Sequence, residues 1–400
     1  MSCELVCCEL SEFLSLILED SDGALMHRLL SILDSPPPLD NYLAGYFEKV
    51  MEVLLRNCTK QTIDFLNEGG VALFQRFMRH ICNYSVMQII QRLLLPHIPF
   101  SQPPLDQLDE GDEETAQPQC NWSTLDVTCE SLCNCFVDPN AVESTVSHSS
   151  DLLITVLQLS PPESSFTGNL CAPKCLDALF PTVFQDNVDS KSCEVSIAAL
   201  AVLESLTTRL GEAMSSWDSH ADGSGSEEVI PVLKDSIRAC MNHLRTALWK
   251  YFNQLECYLR QMVEMKDCVY LSQDGCTYRK LGMKTLQLVK FTEAIVRLAD
   301  SEIDERIVAS DILNQSLALM LEFETNSLLH LSLQRIFVTI IDGGERRGSL
   351  QRHLLKSCDL VRWLSDFFQK LVQSEAKKHC PVAGHLIYIV QVNIVLYEYE

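Results

Sequence analysis

Apolar residues recur at helical spacing through the N-terminal quarter of the chain, and that spacing limits the possible folds more than any other feature. Leu39, Leu43, Phe47, Val50 and Leu54 follow one another at intervals of four, four, three and four. On a 3.6-residue helix those side chains share one stripe, which must be buried against something else. The weak helix formers Asn57-Cys58-Thr59 interrupt this run and Gly69-Gly70 interrupts the next, so short turns between antiparallel neighbours are expected.

The same texture continues. Helices are expected at about 3–18, 24–34, 39–56, 60–68, 71–82 and 86–95, with Pro38 placed to open the third. A further set is expected at 125–136, 150–159, 175–184, 193–210, 229–265, 280–298, 307–323, 328–341 and 350–372. Leu329, Leu333, Ile336 and Ile340 repeat the four, three, four spacing, and Gly343-Gly344 supplies a stop behind them. With hardly any strand signal and no fixed sequence period, the expected class is all-α, an α-solenoid of degenerate HEAT/armadillo-like repeats. Residues 387–400 are the exception: Ile387, Ile389, Val390, Val392, Ile394 and Val395 are β-branched and read as a strand-like, divergent apolar tail.

At 400 residues the chain is too long for one ordinary core. The expected organisation is N-terminal helical repeats over 1–100, an acidic Pro-rich flexible loop at 101–119 and middle repeats over 120–213. A Ser/Gly/acidic flexible loop follows at 214–228, then C-terminal repeats over 229–386 and the tail 387–400. Six acids lie in the first loop and four in the second, and removing those ten from the net charge of −23 leaves −13 elsewhere. A chain this acidic is repelled by phosphate backbones and anionic lipid, so neither nucleic acid nor membrane is an expected partner. No apolar run reaches the roughly 20 residues of a spanning helix.

Eighteen cysteines could signal disulfides or zinc. The start of the chain argues against secretion: no Lys or Arg precedes Arg28, and Glu4 and Glu9 interrupt the apolar stretch. Reduced thiols are therefore expected, and the sequons at Asn57, Asn83 and Asn121 are read as chance matches. The densest thiol cluster, Cys120, Cys129, Cys133 and Cys135 with Cys171 and Cys175 downstream, lacks the paired Cys-x-x-Cys knuckles of a zinc site and is read as buried small side chains, with no metal and no cofactor. Gly-x-Ser-x-Gly, Gly-x-x-x-x-Gly-Lys, Gly-x-Gly-x-x-Gly and His-Glu-x-x-His are all missing, so no catalytic residue is assigned and an enzyme is not expected.

Two surface readings remain. Asn326 and His330 stand one helical turn apart and could shape a partner surface or bond a neighbouring helix end. Arg346-Arg347-Gly348-Ser349 places a basic pair before a serine, so Ser349 reads either as a phosphosite favoured by the positive helix start or, preferably, as an N-cap.

Ser2-Cys3-Glu4-Leu5, Leu43 to Val50, Ile63-Asp64-Phe65-Leu66 and Met87 to Leu95 resemble the SAPS family, the regulatory subunits of protein phosphatase 6. The resemblance continues collinearly at Glu130-Ser131-Leu132-Cys133, Leu281-Gly282 through Leu298, Asn326 to His330, and Leu354-Leu355 through Gly384-His385-Leu386. It implies a helical-repeat scaffold that binds the catalytic subunit of a serine/threonine phosphatase of the protein phosphatase 6 type, and in some assemblies an ankyrin-repeat subunit, to direct dephosphorylation. The catalytic subunit's own metal motifs are missing here. The family has a further stretch before the Ser-Cys-Glu-Leu segment and continues helically after Leu386, so both ends are expected to depart from it. The expected location is the cytoplasm, with the nucleus as a second site.

Two other classes compete. An importin-like adaptor for basic cargo would suit the acidity, but Trp122, Trp217, Trp249 and Trp363 follow no repeat period. A cysteine enzyme would need one thiol with a strongly lowered pKa.

Overall fold

The computed structural model describes residues 2–18, 23–95, 120–185, 190–220, 229–265, 269–373 apart from 274 and 276, and 381–397. Among them are nineteen α-helices and one antiparallel hairpin, so the chain is all-α. It divides into two compact units, Met1–Thr182 and Val183–Glu400, a boundary that falls inside the stretch 120–213 read from sequence as one block. The loop expected at 101–119 lies outside the described residues.

In the first unit the short helices α1 (Ser2–Val6), α2 (Ser11–Leu18) and α3 (Ala24–Leu30) lead into α4 (Asn41–Asn57), α5 (Thr59–Met78) and α6 (Tyr84–Leu94). Then come α7 (Asp126–Val137), α8 (Glu143–Leu159), α9 (Ser165–Leu170) and α10 (Pro173–Val183). Packing skips alternate helices: α4 lies on α6 and α6 on α8, while α5 lies on α7 and α7 on α9. Such layering is what stacked helical repeats produce, because each helix has one apolar stripe and two neighbours to bury it against.

Local chemistry sets the boundaries. Asp40 Oδ1 accepts from the backbone amides of Tyr42 and Leu43 at 3.0 Å each, so α4 opens behind Asp40 rather than at Pro38. Asn83 caps α6 through the Ser85 amide, and its Nδ2 donates to Asn41 Oδ1 at 2.9 Å. The starts of α4 and α6 are thereby tied together, and the two run in the same direction. Inside α5, Gly70 adopts φ 48°, ψ −142°, a backbone shape that glycine tolerates, so the expected break between two helical segments is there as a kink. In α4 Ala44, Phe47, Val50, Met51, Val53, Leu54 and Leu55 are buried, whereas Leu43 is 55% exposed on the first turn.

A buried aromatic knot joins the layers. Trp122, in a 3₁₀ turn (Asn121–Thr124), is fully buried and meets Phe74 and Phe77 of α5 edge-on, at centroid distances of 5.4 and 5.5 Å. Phe77 in turn lies 6.0 Å from Phe47 of α4.

The second unit contains α11 (Ser190–His220), α12 (Val229–Glu264), the hairpin strands β1 (Val269–Leu271) and β2 (Thr277–Arg279), α13 (Met283–Arg297) and α14 (Ser301–Val308). It continues with α15 (Ile312–Glu322), α16 (Ser327–Ile341), α17 (Gly348–Arg352), α18 (Leu360–Gln373) and α19 (Pro381–Tyr397). One layer runs α11, α13, α16, α19; α12 packs on α15 and α14 on α17. Helix α13 is the centre, with twelve of its fifteen residues buried, charged ones included. Lys284 lies 5.0 Å above the Tyr258 ring, and Glu293 accepts from Arg297 at 2.8 Å, so neither buried charge stands alone.

Several expectations are corrected. Residues 387–397 are helical, as part of α19, and do not form a strand: Val382, Leu386 and Ile389 are fully buried at i, i+4 and i+7 on the face packed against α16. Burial of that stripe outweighs the strand preference of its β-branched residues. Helix α11 continues to His220, so the second flexible segment does not begin at 214; residues 221–228 lie outside the described residues. The first expected helix is broken between α1 and α2, where Glu9 takes φ 55°. The span 307–323 is divided between α14 and α15, and 350–372 between α17, a π-turn (His353–Ser357) and α18.

The hairpin was missed in the sequence because its strands are three residues each, with Val269 opposite Arg279. It delivers Arg279 to the end of α12, where the guanidinium donates to the carbonyls of Met262 at 2.7 Å and Met265, and to Glu322 at 2.6 Å. A cation at a helix C-terminus satisfies carbonyls that have no helical partner.

Truncating the aromatic knot should be costly. Trp122→Ala is expected to destabilise the chain by about 3–5 kcal/mol, as for other large-to-small core changes. Denaturant unfolding would check it, and a change below about 1 kcal/mol would mean the knot does not join the layers.

Candidate interaction surfaces

The thiol cluster is core apart from Cys135, which is half-buried. Cys120, Cys129, Cys133, Cys171 and Cys175 are buried. Burial pushes Cys120 up to about 12. Cys129 is raised by burial first, and Cys133 first by its hydrogen bond with Cys175 and then by burial. Cys135 and Cys358 shift upward as well, both chiefly through burial. A nucleophilic cysteine needs the opposite shift, so these thiols fit the reading of small apolar side chains. Among the described residues, no group of three or more His, Cys, Asp or Glu is placed to hold a metal.

Asn326 is the N-cap of α16, its Oδ1 accepting from the Leu329 amide at 3.0 Å. His330 is fully buried, with its ring 5.6 Å from that of His385 on α19. His385 Nδ1 and Gln334 Oε1 are 2.5 Å apart. Asn326 thus caps its own helix, and His330 lies in the packing of α16 with α19. Ser349 is exposed, but the N-cap of α17 is Arg347, so the N-cap reading of Ser349 is corrected.

Arg347 is the residue whose role sequence reasoning missed. It is 3% exposed, and it forks onto the buried Asp304 of α14, with Nε donating to Oδ2 at 2.7 Å and Nη2 to Oδ1. The turn behind α16 is shaped to admit it. A Cβ on Gly343 would stand 2.5 Å from Arg347 Cδ, so only glycine lets the arginine stem cross there. The adjacent Gly344 supplies the positive φ of 61° that ends the helix.

Arg347 belongs to the wall of a cleft of about 1010 Å³ in the second unit, between the α11 and α12 side chains and the C-terminal ends of α13 and α16. Five arginines line it: Arg238, Arg245, Arg297, Arg346 and Arg347, against Asp300 and Asp342. Arg245 is itself forked, onto Asp300 and Glu302 at 2.6 Å each, and Asp300 also caps α14 through the amides of Glu302 and Ile303. Arginines at two helix C-terminal ends complement the helix dipoles. Their number is notable on a chain of net charge −23.

A second surface lies on the first unit. Tyr42, Leu43 and Tyr46 on α4 and Tyr84 on α6 are between 52% and 80% exposed. The Asn41–Asn83 bond brings Tyr42 and Tyr84, the residues that follow, to the same edge. Clustered exposed tyrosines beside an aliphatic side chain are typical of protein-binding surfaces.

Two measurements test this geometry. Removing either partner of the buried fork leaves an uncompensated charge, so Arg347→Leu or Asp304→Leu should each destabilise by about 3–5 kcal/mol. The double substitution should cost less than the sum, and additivity in a double-mutant unfolding cycle would refute the pairing. For the histidines, burial and then His385 hold His330 below the usual range, and burial does the same for His385. The unfolded chain therefore binds protons first on acidification. The contribution to stability is full above about pH 6.5 and falls as pH drops through that value toward the folded pKa values. Unfolding midpoints at about pH 7.5 and 5.5 should show this loss, and His330→Asn should reduce it; an unchanged pH dependence in the variant would remove His330 as its source.

No protein-family model matches the chain. Curated proteins do. It is 22% identical to serine/threonine-protein phosphatase 6 regulatory subunit 3-B of Xenopus laevis, an alignment covering 100% of this chain and 46% of that protein. It is also 22% identical to regulatory subunit 1 of Homo sapiens over 85% of this chain and 39% of the relative, and to regulatory subunit 2 of Mus musculus over 86% and 35%. The chain therefore spans less than half the length of these relatives.

Proposed function

We propose that this chain, a homologue of the protein phosphatase 6 regulatory subunits, is a non-catalytic regulatory scaffold that binds a phosphatase catalytic subunit of that type and steers its substrate choice. The observation that carries the reading is the collinearity of the similarity: alignment to a named regulatory subunit covers 100% of this chain. The fold supports it, since stacked helices with alternating layers present long side-chain surfaces to a partner. The tyrosine edge of α4 and α6 is our candidate contact, because Leu43 to Val50 carries part of the family resemblance and yet includes the exposed Leu43 and Tyr46. An ankyrin-repeat subunit as a third member of the assembly belongs to the same proposal. So does a cytoplasmic location with a nuclear fraction, which the exposed free thiols Cys7, Cys8 and Cys257 suit.

Affinity purification of the tagged chain from cells, read by mass spectrometry, tests the proposal. A protein phosphatase 6-type catalytic subunit should be recovered, and Tyr42→Ala/Tyr46→Ala should lower its recovery without altering the circular dichroism spectrum. Removing residues 387–397 should also lower recovery, because α19 covers part of α16. Capture of importins, basic cargo or chaperones alone would overturn the assignment.

A further inference from the structure

We propose that Cys3 and Cys7 form a redox-modification site, a thiol pair at the surface that a peroxide closes into a reversible disulfide. The first ground is contact. Cys3 on α1 and Cys7 in the turn that follows have their sulfur atoms 3.9 Å apart, one thiol donating to the other. The Cys7 amide donates to the Cys3 carbonyl at 2.9 Å, so the two residues stand one helical turn apart. Their Cα atoms are then separated by roughly 6 Å, inside the range a disulfide spans, and the sulfurs must approach by about 2 Å. Cys7 lies just beyond Val6, the last residue of α1, so its backbone can shift without unwinding the helix.

The second ground is selectivity among thiols. Cys8 is exposed as well, but its Sγ donates to the Glu4 carbonyl at 3.3 Å, which holds it on a different stripe of the turn from Cys3 and Cys7. The exposed Cys257 accepts from Gln261 rather than meeting a second thiol. Cys133 and Cys175 do bond each other, yet both are buried, where neither an oxidant nor the reactive thiolate is favoured. Cys3 and Cys7 therefore combine a partner sulfur with access to solvent.

Exposure sets the order of events. Cys7 is exposed and Cys3 half-buried; burial and then the bond with Cys7 raise the Cys3 thiol, and Lys49 offsets part of the rise. Cys7 is therefore the first to react. Its thiolate, the proton having gone to solvent, attacks one oxygen of hydrogen peroxide: the S–O bond forms, the O–O bond breaks, and the departing hydroxide takes up a proton as water. The Cys3 sulfur then attacks the sulfur of the Cys7 sulfenic acid. The S–S bond forms, the S–O bond breaks, and hydroxide leaves with the Cys3 proton as a second water. Two thiols lose two electrons and one peroxide is reduced to two waters. Closure also removes the S–H that Cys3 donates to the Tyr46 carbonyl at 3.7 Å, so oxidised α1 loses a tie to α4. An exposed bond closed across a single turn is readily reduced, which makes the site reversible rather than structural. The inference does not depend on the phosphatase assignment.

The test starts from the reduced full chain, treated with hydrogen peroxide, blocked with N-ethylmaleimide and digested for mass spectrometry without reductant. The expected product is a peptide holding residues 3, 7 and 8 that is lighter by two hydrogens, with only Cys8 blocked, and dithiothreitol should restore the other two thiols. Cys8→Ser should leave this linkage unchanged, whereas Cys7→Ala should abolish it. Cys3→Ser, which removes the resolving thiol, should leave a sulfenic acid on Cys7 that dimedone traps. Thermal unfolding under reductant would verify that each variant folds as the parent does. A bond between Cys7 and Cys8, a disulfide-linked dimer, a sulfinic acid on Cys7 with Cys3 still blocked by N-ethylmaleimide, or loss of the two thiols no faster than loss of Cys257 would each overturn the proposal.

Discussion

Most of the described helices are too short to stabilise themselves. They present apolar stripes, and an isolated amphipathic helix of one or two dozen residues is marginal in water, so they depend on neighbours to cover those stripes. The alternating layers follow from this constraint: α4, α6 and α8 in the first unit and α11, α13, α16 and α19 in the second. Helix α13 shows how far it reaches. Flanked by α11 and α16, it buries nearly every residue, and its polar positions survive only because each finds a partner, as Glu293 does in Arg297.

The corners are where polar chemistry takes over. Helix ends leave four amides or carbonyls without helical partners, and in this chain they are met by flanking side chains and by side chains from elsewhere. Asp40, Asn83, Asp300 and Asn326 cap starts; Arg279 arrives from the hairpin to cover the end of α12. Arg347 is the extreme case, a charge carried into the interior to join the turn after α16 to α14. Buried pairs of this kind are weak evidence of net stability, because desolvation offsets attraction. A better account is that the forks fix geometry, holding the turn after α16 against α14 and α12 against the start of α14.

The two surfaces are chemically unlike. The tyrosine edge of the first unit has large amphipathic side chains with little conformational entropy to lose, the composition of a protein contact. The cleft of the second unit combines ion-paired arginines with an apolar wall.

The sequence by itself determined the class of fold, most helix positions and the core character of most of the Cys120–Cys175 cluster, because apolar spacing and turn residues are local properties that burial then reinforces. It also carried the family resemblance. Tertiary structure decided whatever depended on who covers whom. Leu43 continues the stripe of Phe47 yet stays exposed on the first turn, and Val382, Leu386 and Ile389 turn a β-branched segment into a helix by docking on α16. The cleft was illegible for the same reason: its arginines lie between positions 238 and 347 on α12, α13 and the turn after α16. No local pattern marks Arg347 as buried, since its environment is made by Asp304, forty-three residues away, and by the missing side chain of Gly343.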